Sequence, residues 1–164
     1  MDKSIADLKE AFAGESQANR KYLAFAEKAD REGYPQVARL FRAAAYAETV
    51  HALNHLRALK AIGATAENLK EAIAGESAEF QKMYPRMIAD SQAEGHKEAE
   101  RTFTFANEVE KVHAHLYQKA LESMENKKLV DIYVCSVCGY TVEGEAPDSC
   151  PVCKAVKKLF TRID

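Results

Sequence analysis

The sequence predicts an all-α four-helix bundle followed by a small β-rich metal domain. Residues 1–126 are rich in alanine, glutamate, lysine and leucine, with apolar residues at helical spacing. Residues 130–164 contain instead β-branched and aromatic residues, turn signals and all four cysteines. A short polar stretch separates the two compositions. We therefore expect a bundle over 1–126, a linker over 127–130 and a metal domain over 131–164.

Composition excludes several classes of function. The 164 residues have a formal net charge of −2 without a long block of either sign, which argues against nucleic acid or an anionic membrane as a partner. No apolar run approaches the roughly 18–20 residues of a membrane span. The chain opens directly into a charged helical pattern, whereas a secretory signal begins with a basic and then an apolar stretch. We expect a cytoplasmic protein.

Glycine and proline mark the expected helix boundaries. The first helix is predicted to stop at Gly33, and Pro35 opens the second in its first turn. The second is predicted to end at Gly63, and the third to start at Thr65. Pro85 is expected to kink the third helix, because proline lacks a backbone donor and clashes with the preceding turn. A fourth apolar stripe follows before the linker.

Each of the four apolar stripes contains a glutamate near its middle, and two of them add a histidine three residues later. Burying one ionised carboxylate costs several kcal/mol even after relaxation. Four such placements therefore need a neutralising cation, and a pair of metal ions supplies it. The predicted ligands are Glu15, Glu48, His51, Glu76, Glu110 and His113.

An internal repeat relates these ligands. The segment 11–16 returns as 72–77 at an offset of 61, and the segment 48–52 returns as 110–114 at an offset of 62. The bundle therefore looks like a duplicated helical hairpin. Each half supplies one lone glutamate and one Glu-x-x-His, whose two side chains lie on one helix face.

The repeat symmetry predicts a role for each ligand. Two lone glutamates with two Glu-x-x-His motifs form the ligand set of ferritin-like di-iron and di-manganese bundles. Glu48 and Glu110 are expected to bridge the two metals, and Glu79, one turn beyond Glu76, is a candidate fifth carboxylate. The terminal ligands are then Glu15 with His51 on one metal and Glu76 with His113 on the other.

Three further side chains lie near the expected site. Tyr22 and Tyr84 follow Glu15 and Glu76 by about two turns, and they are either core residues or donors to the ligating carboxylates. His55 lies on the stripe of the second helix, but the repeat places a tyrosine at its counterpart. We interpret it as a core residue or a neighbour of the ligands.

The cysteines predict a second metal site. Two Cys-x-x-Cys pairs in a reducing compartment are better explained by a metal than by disulfides. A tetrahedral four-sulfur site suits one iron or one zinc. An adjacent redox-active metal pair favours iron, because zinc cannot relay electrons. The four ligands are Cys135, Cys138, Cys150 and Cys153.

With both motifs in place, the chain resembles the rubrerythrins over essentially its whole length. The ligand motifs match that family's di-iron set, and Cys-x-x-Cys-Gly-Tyr with Cys-Pro-x-Cys resembles rubredoxin. The resemblance implies two irons in the bundle, one iron in the cysteine site, and reduction of hydrogen peroxide to water in defence against oxidative stress. It also implies that Glu79 replaces His51 as a ligand on oxidation, and it favours Tyr22 and Tyr84 as hydrogen-bond donors to the ligands.

The resemblance further implies electrons from a rubredoxin or an NAD(P)H-dependent reductase. Two other functions remain open from the residues: an iron-storage or ferroxidase protein, and a zinc-ribbon adaptor with a helical interaction domain. The short link between the second and third helices, counted as residues 63–66, predicts one more feature. It cannot return along a single-chain ferritin-like bundle, so we expect a homodimer with exchanged helix pairs.

Overall fold

The computed structural model describes residues 2–164, which form five α-helices and one three-stranded sheet. A π-helical segment, Glu79–Met83, joins the third and fourth helices into the third predicted helix. The predicted fold class, four helices and a small sheet, is confirmed. The elements are α1 (Lys3–Arg31), α2 (Pro35–Ala58), α3 (Thr65–Ala78), α4 (Tyr84–Ala93), α5 (Lys97–Glu122), β1 (Ile132–Cys135), β2 (Thr141–Glu143) and β3 (Phe160–Ile163).

The chain divides into two compact units after Gly63. The first unit is the antiparallel hairpin of α1 and α2. Its core cluster consists of small residues, namely Ala26, Ala29 and Ala38, with Phe41 packed against them. Alanine lets two helices approach closely without loss of helix propensity.

A polar contact sets the register of this hairpin at mid-length. The side-chain amide of Asn19 on α1 donates to the Ala45 carbonyl oxygen at 2.6 Å and to Thr49 Oγ1 at 2.8 Å on α2. Because both acceptors lie on α2, the amide spans the helix interface. This contact fixes which turns of α1 and α2 face each other.

The predicted end of the second helix is wrong. The helix ends at Ala58, and Lys60 takes a left-handed conformation with φ of 52°. The Lys60 N–H donates to the Arg57 carbonyl at 3.0 Å and the Ala61 N–H to the Leu56 carbonyl at 3.1 Å. These two bonds close the helix in the manner usually seen with glycine. Since lysine and not glycine occupies this left-handed position, the sequence does not reveal the end of the helix.

The second unit begins with α3 at the predicted residue, Thr65. The Glu67 carboxylate accepts from the Ala64 N–H at 2.8 Å and so satisfies one unpaired donor of the first turn. The expected disturbance at Pro85 takes the form of the π-helical segment just before it. There the Tyr84 N–H donates to the Glu79 carbonyl, five residues back. α5 then packs against α3 and α4.

The C-terminal sheet has the antiparallel order β2-β1-β3. Within the second unit β2 contacts α5, where Lys119 and Glu143 form an ion pair. Gly139 has a φ of +84°, and a Cβ there would lie 3.7 Å from Val109 Cγ1 on α5. The sheet therefore approaches α5 through a glycine turn. No helix within residues 2–164 is both long and apolar enough to cross a membrane.

Gly33→Ala should destabilise the α1–α2 hairpin. Gly33 has a φ of 81°, and the Tyr34 N–H after it donates to the Ala29 carbonyl at 2.9 Å. A Cβ in the left-handed region costs about 1 kcal/mol. We expect a lower unfolding midpoint in denaturant for Gly33→Ala and a smaller loss for Gly33→Asn, which tolerates that region. Equal midpoints for wild type and Gly33→Ala would contradict this account of the helix end.

Candidate metal centres

The first unit brings together three predicted ligands, Glu15 from α1 and Glu48 and His51 from α2. Their ligand atoms lie within 4.8 Å of one another. His51 Nδ1 lies 3.0 Å from Glu48 Oε2 and 3.7 Å from Glu15 Oε1. This group has the size and donor chemistry of one imidazole and two carboxylates around a metal ion.

The second unit brings together the repeat counterparts, Glu76 from α3 and Glu110 and His113 from α5. His113 Nδ1 lies 2.7 Å from Glu110 Oε2 and 3.9 Å from Glu76 Oε1. In both groups Nδ1 is the ring nitrogen that faces the carboxylates. The Glu-x-x-His spacing produces this arrangement, since the two residues lie one turn apart on the same face.

The carboxylates of each group favour a proton or a cation. A hydrogen bond between the Glu15 and Glu48 side chains is the main cause that raises the pKa of Glu15, and burial adds to it. Burial, followed by the charge of Glu110, raises the pKa of Glu76. Like charges at close range thus disfavour ionisation of Glu15 and Glu76. A bound cation removes that penalty, so the crowding fits a metal pair.

The π-helical segment brings Glu79 and Tyr84 close to the second group. Burial and the charge of Glu76 raise the pKa of Glu79. Burial, with the charges of Glu110, Glu79 and Glu76, raises the pKa of Tyr84. Tyr84 therefore keeps its proton and is available as a donor to carboxylates.

A change of repeat offset in the sequence indicates this π-helical segment. Glu15 and Glu76 are 61 residues apart, whereas Tyr22 and Tyr84 are 62 apart. One residue is therefore inserted between Glu76 and Tyr84, and a π-helical turn is the form that one inserted residue takes in an α-helix. The segment keeps Tyr84 facing the site although it lies one residue further along the chain.

The remaining predicted neighbours lie on the first unit. The Tyr22 ring packs against Phe41 at 6.2 Å and Phe25 at 6.3 Å between centroids. Its role as a donor to the ligands stays a prediction. His55 is partly buried one turn beyond His51 on α2, and its ring is close enough to Glu15 to oppose slightly the rise in the pKa of that carboxyl.

The four cysteine sulfurs converge at one end of the sheet. Cys135 Sγ lies 3.6 Å from Cys153 Sγ, and Cys138 Sγ lies 3.6 Å from Cys150 Sγ. A tetrahedral ion with bonds of about 2.3 Å holds its sulfurs about 3.8 Å apart. The spacing therefore fits one metal ion. Cys135 and Cys150 are buried, whereas Cys138 and Cys153 are partly exposed.

Backbone N–H groups stabilise the thiolates. Burial alone raises the pKa of Cys150, but hydrogen bonds from the Cys153 and Val152 N–H groups lower it overall. Burial raises the pKa of Cys138 far above its usual range, although the Tyr140 N–H opposes this. Burial raises the pKa of Cys153 as well, so two of the four thiols resist ionisation without a cation. A bound metal ion supplies that charge.

Thr141 is a site residue that the sequence did not predict. His113 Nε2 lies 2.9 Å from Thr141 Oγ1 on β2. Thr141 follows the first cysteine knuckle, so the contact joins a bundle ligand to the four-cysteine domain. The two positions are 28 apart in the sequence, so no local pattern could have indicated the contact.

Comparison with known proteins identifies the family. The family model described as Rubrerythrin matches residues 7–121. The chain belongs to the rubrerythrin family. A second model, for the rubredoxin-like domain of rubrerythrins, matches residues 133–161. The resemblance inferred from the ligand motifs is thus confirmed.

Curated relatives and solved structures agree with this assignment. Rubrerythrin-2 of Clostridium acetobutylicum is 40% identical, over 93% of this chain and 92% of its own length. Nigerythrin of Nitratidesulfovibrio vulgaris is 36% identical, over 96% of this chain and 85% of its own length. A structure of fully reduced, all-ferrous nigerythrin matches with a TM-score of 0.61 and 34% identity, covering 97% of this chain and 86% of that one.

The family assignment identifies the metals. Rubrerythrins bind iron, and both kinds of site are present in this chain. The carboxylate and histidine groups are those of a di-iron site, and the four cysteines are those of a rubredoxin-like site. The predicted cofactors, two irons in the bundle and one in the cysteine site, are thereby confirmed.

Proposed function

We propose that the chain is a cytoplasmic peroxidase that reduces hydrogen peroxide to water, with electrons relayed from the four-cysteine iron to the di-iron site. One observation carries the proposal: α5 holds the ligands Glu110 and His113 and also contacts β2 of the four-cysteine domain. An iron-storage protein has no use for a redox domain against its ligand helix. A zinc-ribbon adaptor has no use for the crowded carboxylates.

The ligands have distinct proposed roles. Glu48 and Glu110 would hold both irons, since each is the less exposed carboxylate of its group, at 17% and 16%. Glu15 and Glu76 are terminal carboxylates, with exposures of 30% and 20%. A ferrous pair supplies the two electrons that reduction of one peroxide molecule requires. Two further side chains, Glu79 and Tyr84, balance the charge of the iron pair and donate hydrogen bonds to its ligands.

Glu79 and Tyr84 have different roles in the proposed site. Glu79 is a carboxylate with a raised pKa beside Glu76, so it can join the ligands when the pair gains positive charge. Tyr84 holds its proton and donates a hydrogen bond to a ligating carboxylate. We propose Tyr22 for the same role on the repeat-related side.

Electrons enter at the exposed side of the cysteine site. Cys138 and Cys153 are partly exposed, and Val137 between the first pair is 54% exposed. A rubredoxin or an NAD(P)H-dependent reductase is the proposed donor. We also propose the domain limits of 1–126 for the bundle, 127–130 for the linker and 131–164 for the four-cysteine domain.

Glu110→Ala should abolish peroxide reduction. Losing a bridging carboxylate leaves the pair without its shared ligand, so metal analysis should show loss of the bundle irons. The visible absorbance of the ferric four-cysteine site should remain. Glu108→Ala, on the same helix but half-exposed and paired with Lys111, is the matched control and should keep full activity. Full activity in Glu110→Ala would contradict the bridging role.

Replacing both Cys138 and Cys153 by alanine should stop electron transfer through the cysteine site. It should not stop the reaction of the iron pair with peroxide. The variant should lose the four-cysteine iron, yet its chemically reduced bundle should still be oxidised by one addition of peroxide. Steady-state turnover through a rubredoxin should fail, because electrons no longer reach the pair. Turnover at the wild-type rate would show that the cysteine site is only structural.

The link between the helix pairs supports exchange in a dimer. The corrected link is Leu59–Ala64, between α2 and α3. In a ferritin-like bundle these helices run parallel, with Glu48 and Glu76 at the same level. The link must then run back over the roughly 15 Å from Glu48 to the end of α2 and the roughly 17 Å from the start of α3 to Glu76. Six extended residues span at most about 22 Å, and two of them are spent in the helix cap.

The exposure of the ligand stripes agrees with a missing partner. Stripe residues such as Ile5, Leu8 and Phe12 are only partly buried, and His51 is 54% exposed. Core residues of a complete four-helix bundle are expected to be buried. We therefore propose that α1 and α2 of one chain complete a bundle with α3 to α5 of a second copy.

Mixing two inactive variants tests this exchange. Glu48→Ala damages the first half-site and Glu110→Ala the second, so a mixed dimer contains one intact and one doubly damaged site. Random pairing should restore about one quarter of wild-type activity, because half the dimers are mixed. Mass spectrometry of the intact dimers verifies the mixing.

Glu15→Ala mixed with Glu48→Ala is the control. Both lesions lie in the first half-site, so every site of every dimer is damaged and no activity should return. If the Glu48→Ala and Glu110→Ala mixture also stays inactive despite verified mixing, exchange is wrong. A single-chain bundle with alternating helix directions would then replace it.

A further inference from the structure

Two consecutive hydrogen bonds connect a bundle ligand to a cysteine knuckle. His113 Nε2 lies 2.9 Å from Thr141 Oγ1, and Thr141 Oγ1 lies 3.0 Å from the Gly139 carbonyl oxygen. Gly139 directly follows Cys138. The two contacts therefore connect the imidazole of the di-iron site to the peptide next to a thiolate ligand, all within the second unit.

The chemistry of the three groups fixes the direction of both bonds. A carbonyl oxygen only accepts, so the single hydroxyl proton of Thr141 goes to Gly139. The Thr141 oxygen then accepts from His113, which places a proton on Nε2. Neutral imidazole carries one proton, so Nδ1 keeps its lone pair. Nδ1 is the atom that faces Glu110 at 2.7 Å and Glu76 at 3.9 Å.

We propose that Thr141 is a positioning residue that holds His113 in the tautomer needed for metal binding and couples the two metal centres of the chain. Partners that bond the outer nitrogen of a ligating histidine orient the ring and raise its basicity. The coupling rests on the proposed function, whereas the effect on metal binding does not. In this proposal the four-cysteine domain has a second role besides electron transfer, because its Thr141 orients the metal ligand His113.

The counterpart histidine lacks this support. His51 Nδ1 faces Glu48 at 3.0 Å, and across residues 2–164 the structure records no hydrogen bond at His51 Nε2. His51 is also twice as exposed as His113, at 54% against 27%. Two histidines related by the repeat therefore differ within the described chain: His113 Nε2 bonds to Thr141, and His51 Nε2 has no such contact.

The coupling step moves an electron and no atom. The donor is ferrous iron in the four cysteines, and the acceptor is ferric iron in the bundle, so one centre is oxidised as the other is reduced. No bond forms or breaks in the connecting groups. The Nε2 proton stays on His113, because the Thr141 proton is already donated to Gly139.

Thr141→Val removes the hydroxyl while keeping the β-branched shape. The first measurement is the affinity of the bundle for Co²⁺, on full-length chain with iron already in the cysteine site. Thr141→Val should weaken the binding about tenfold, as loss of a partner of a ligating histidine does. Thr141→Ser keeps the hydroxyl and should bind as wild type. Thr161→Val, on exposed β3 of the same sheet, is the matched control and should also bind as wild type.

The second measurement follows electrons through the fully reduced, iron-saturated chain. One equivalent of peroxide per iron pair should oxidise the pair first. The visible absorbance of the ferric four-cysteine site should then grow as that iron reduces the pair. In Thr141→Val the first phase should keep its rate and the second should slow about tenfold, while Thr141→Ser and Thr161→Val should match wild type.

Two outcomes overturn the proposal. In the first, Thr141→Val matches wild type in both affinity and the second phase. In the second, Thr141→Ser is as impaired as Thr141→Val, so that the hydroxyl is not the active group. If the wild type shows no first phase, the peroxidase function fails instead. In that case the Co²⁺ affinities of wild type, Thr141→Val and Thr141→Ser alone decide whether Thr141 positions His113.

Discussion

The architecture depends on the repulsion between carboxylates held on apolar helix faces. Glu15 with Glu48, and Glu76 with Glu110, are close enough that each pair favours a proton or a cation over two free charges. A metal ion that neutralises the carboxylates stabilises a helix face of this kind. The Glu-x-x-His spacing and the duplicated hairpin place one histidine beside two carboxylates in each unit. In the proposed dimer, binding the metal and completing the bundle are one thermodynamic event.

The duplicated hairpin places the same ligand types in both units, and two local differences between the units surround these ligands differently. One inserted residue turns part of the third helix into a π-helical segment beside Glu79, and the first helix has no such insertion. His113 bonds to Thr141, whereas His51 does not. Both departures fall on the second unit, which also contains the four-cysteine domain. The two Glu-Glu-His groups consequently have unequal surroundings although their residue types are the same.

The sequence predicted the groups whose chemistry is encoded at short range. Glu110 and His113 are three residues apart, and each Cys-x-x-Cys forms a knuckle by itself, so pattern and repeat were sufficient. The end of the second helix was missed because Lys60 occupies a left-handed position that composition assigns to glycine. Thr141 was missed because only the docking of β2 on α5 brings it to His113. Contacts of that kind depend on tertiary packing and leave no local signal.

The central claim is that a di-iron pair gives two electrons to peroxide and the four-cysteine iron restores them. An anaerobic titration of the fully reduced chain with hydrogen peroxide, followed by visible absorbance, tests it most directly. The account predicts that half an equivalent of peroxide per iron atom oxidises all three irons, with the bundle irons oxidised before the four-cysteine iron. A reduced chain that ignores peroxide, reacts only with dioxygen and goes on to take up iron beyond its three sites would contradict it.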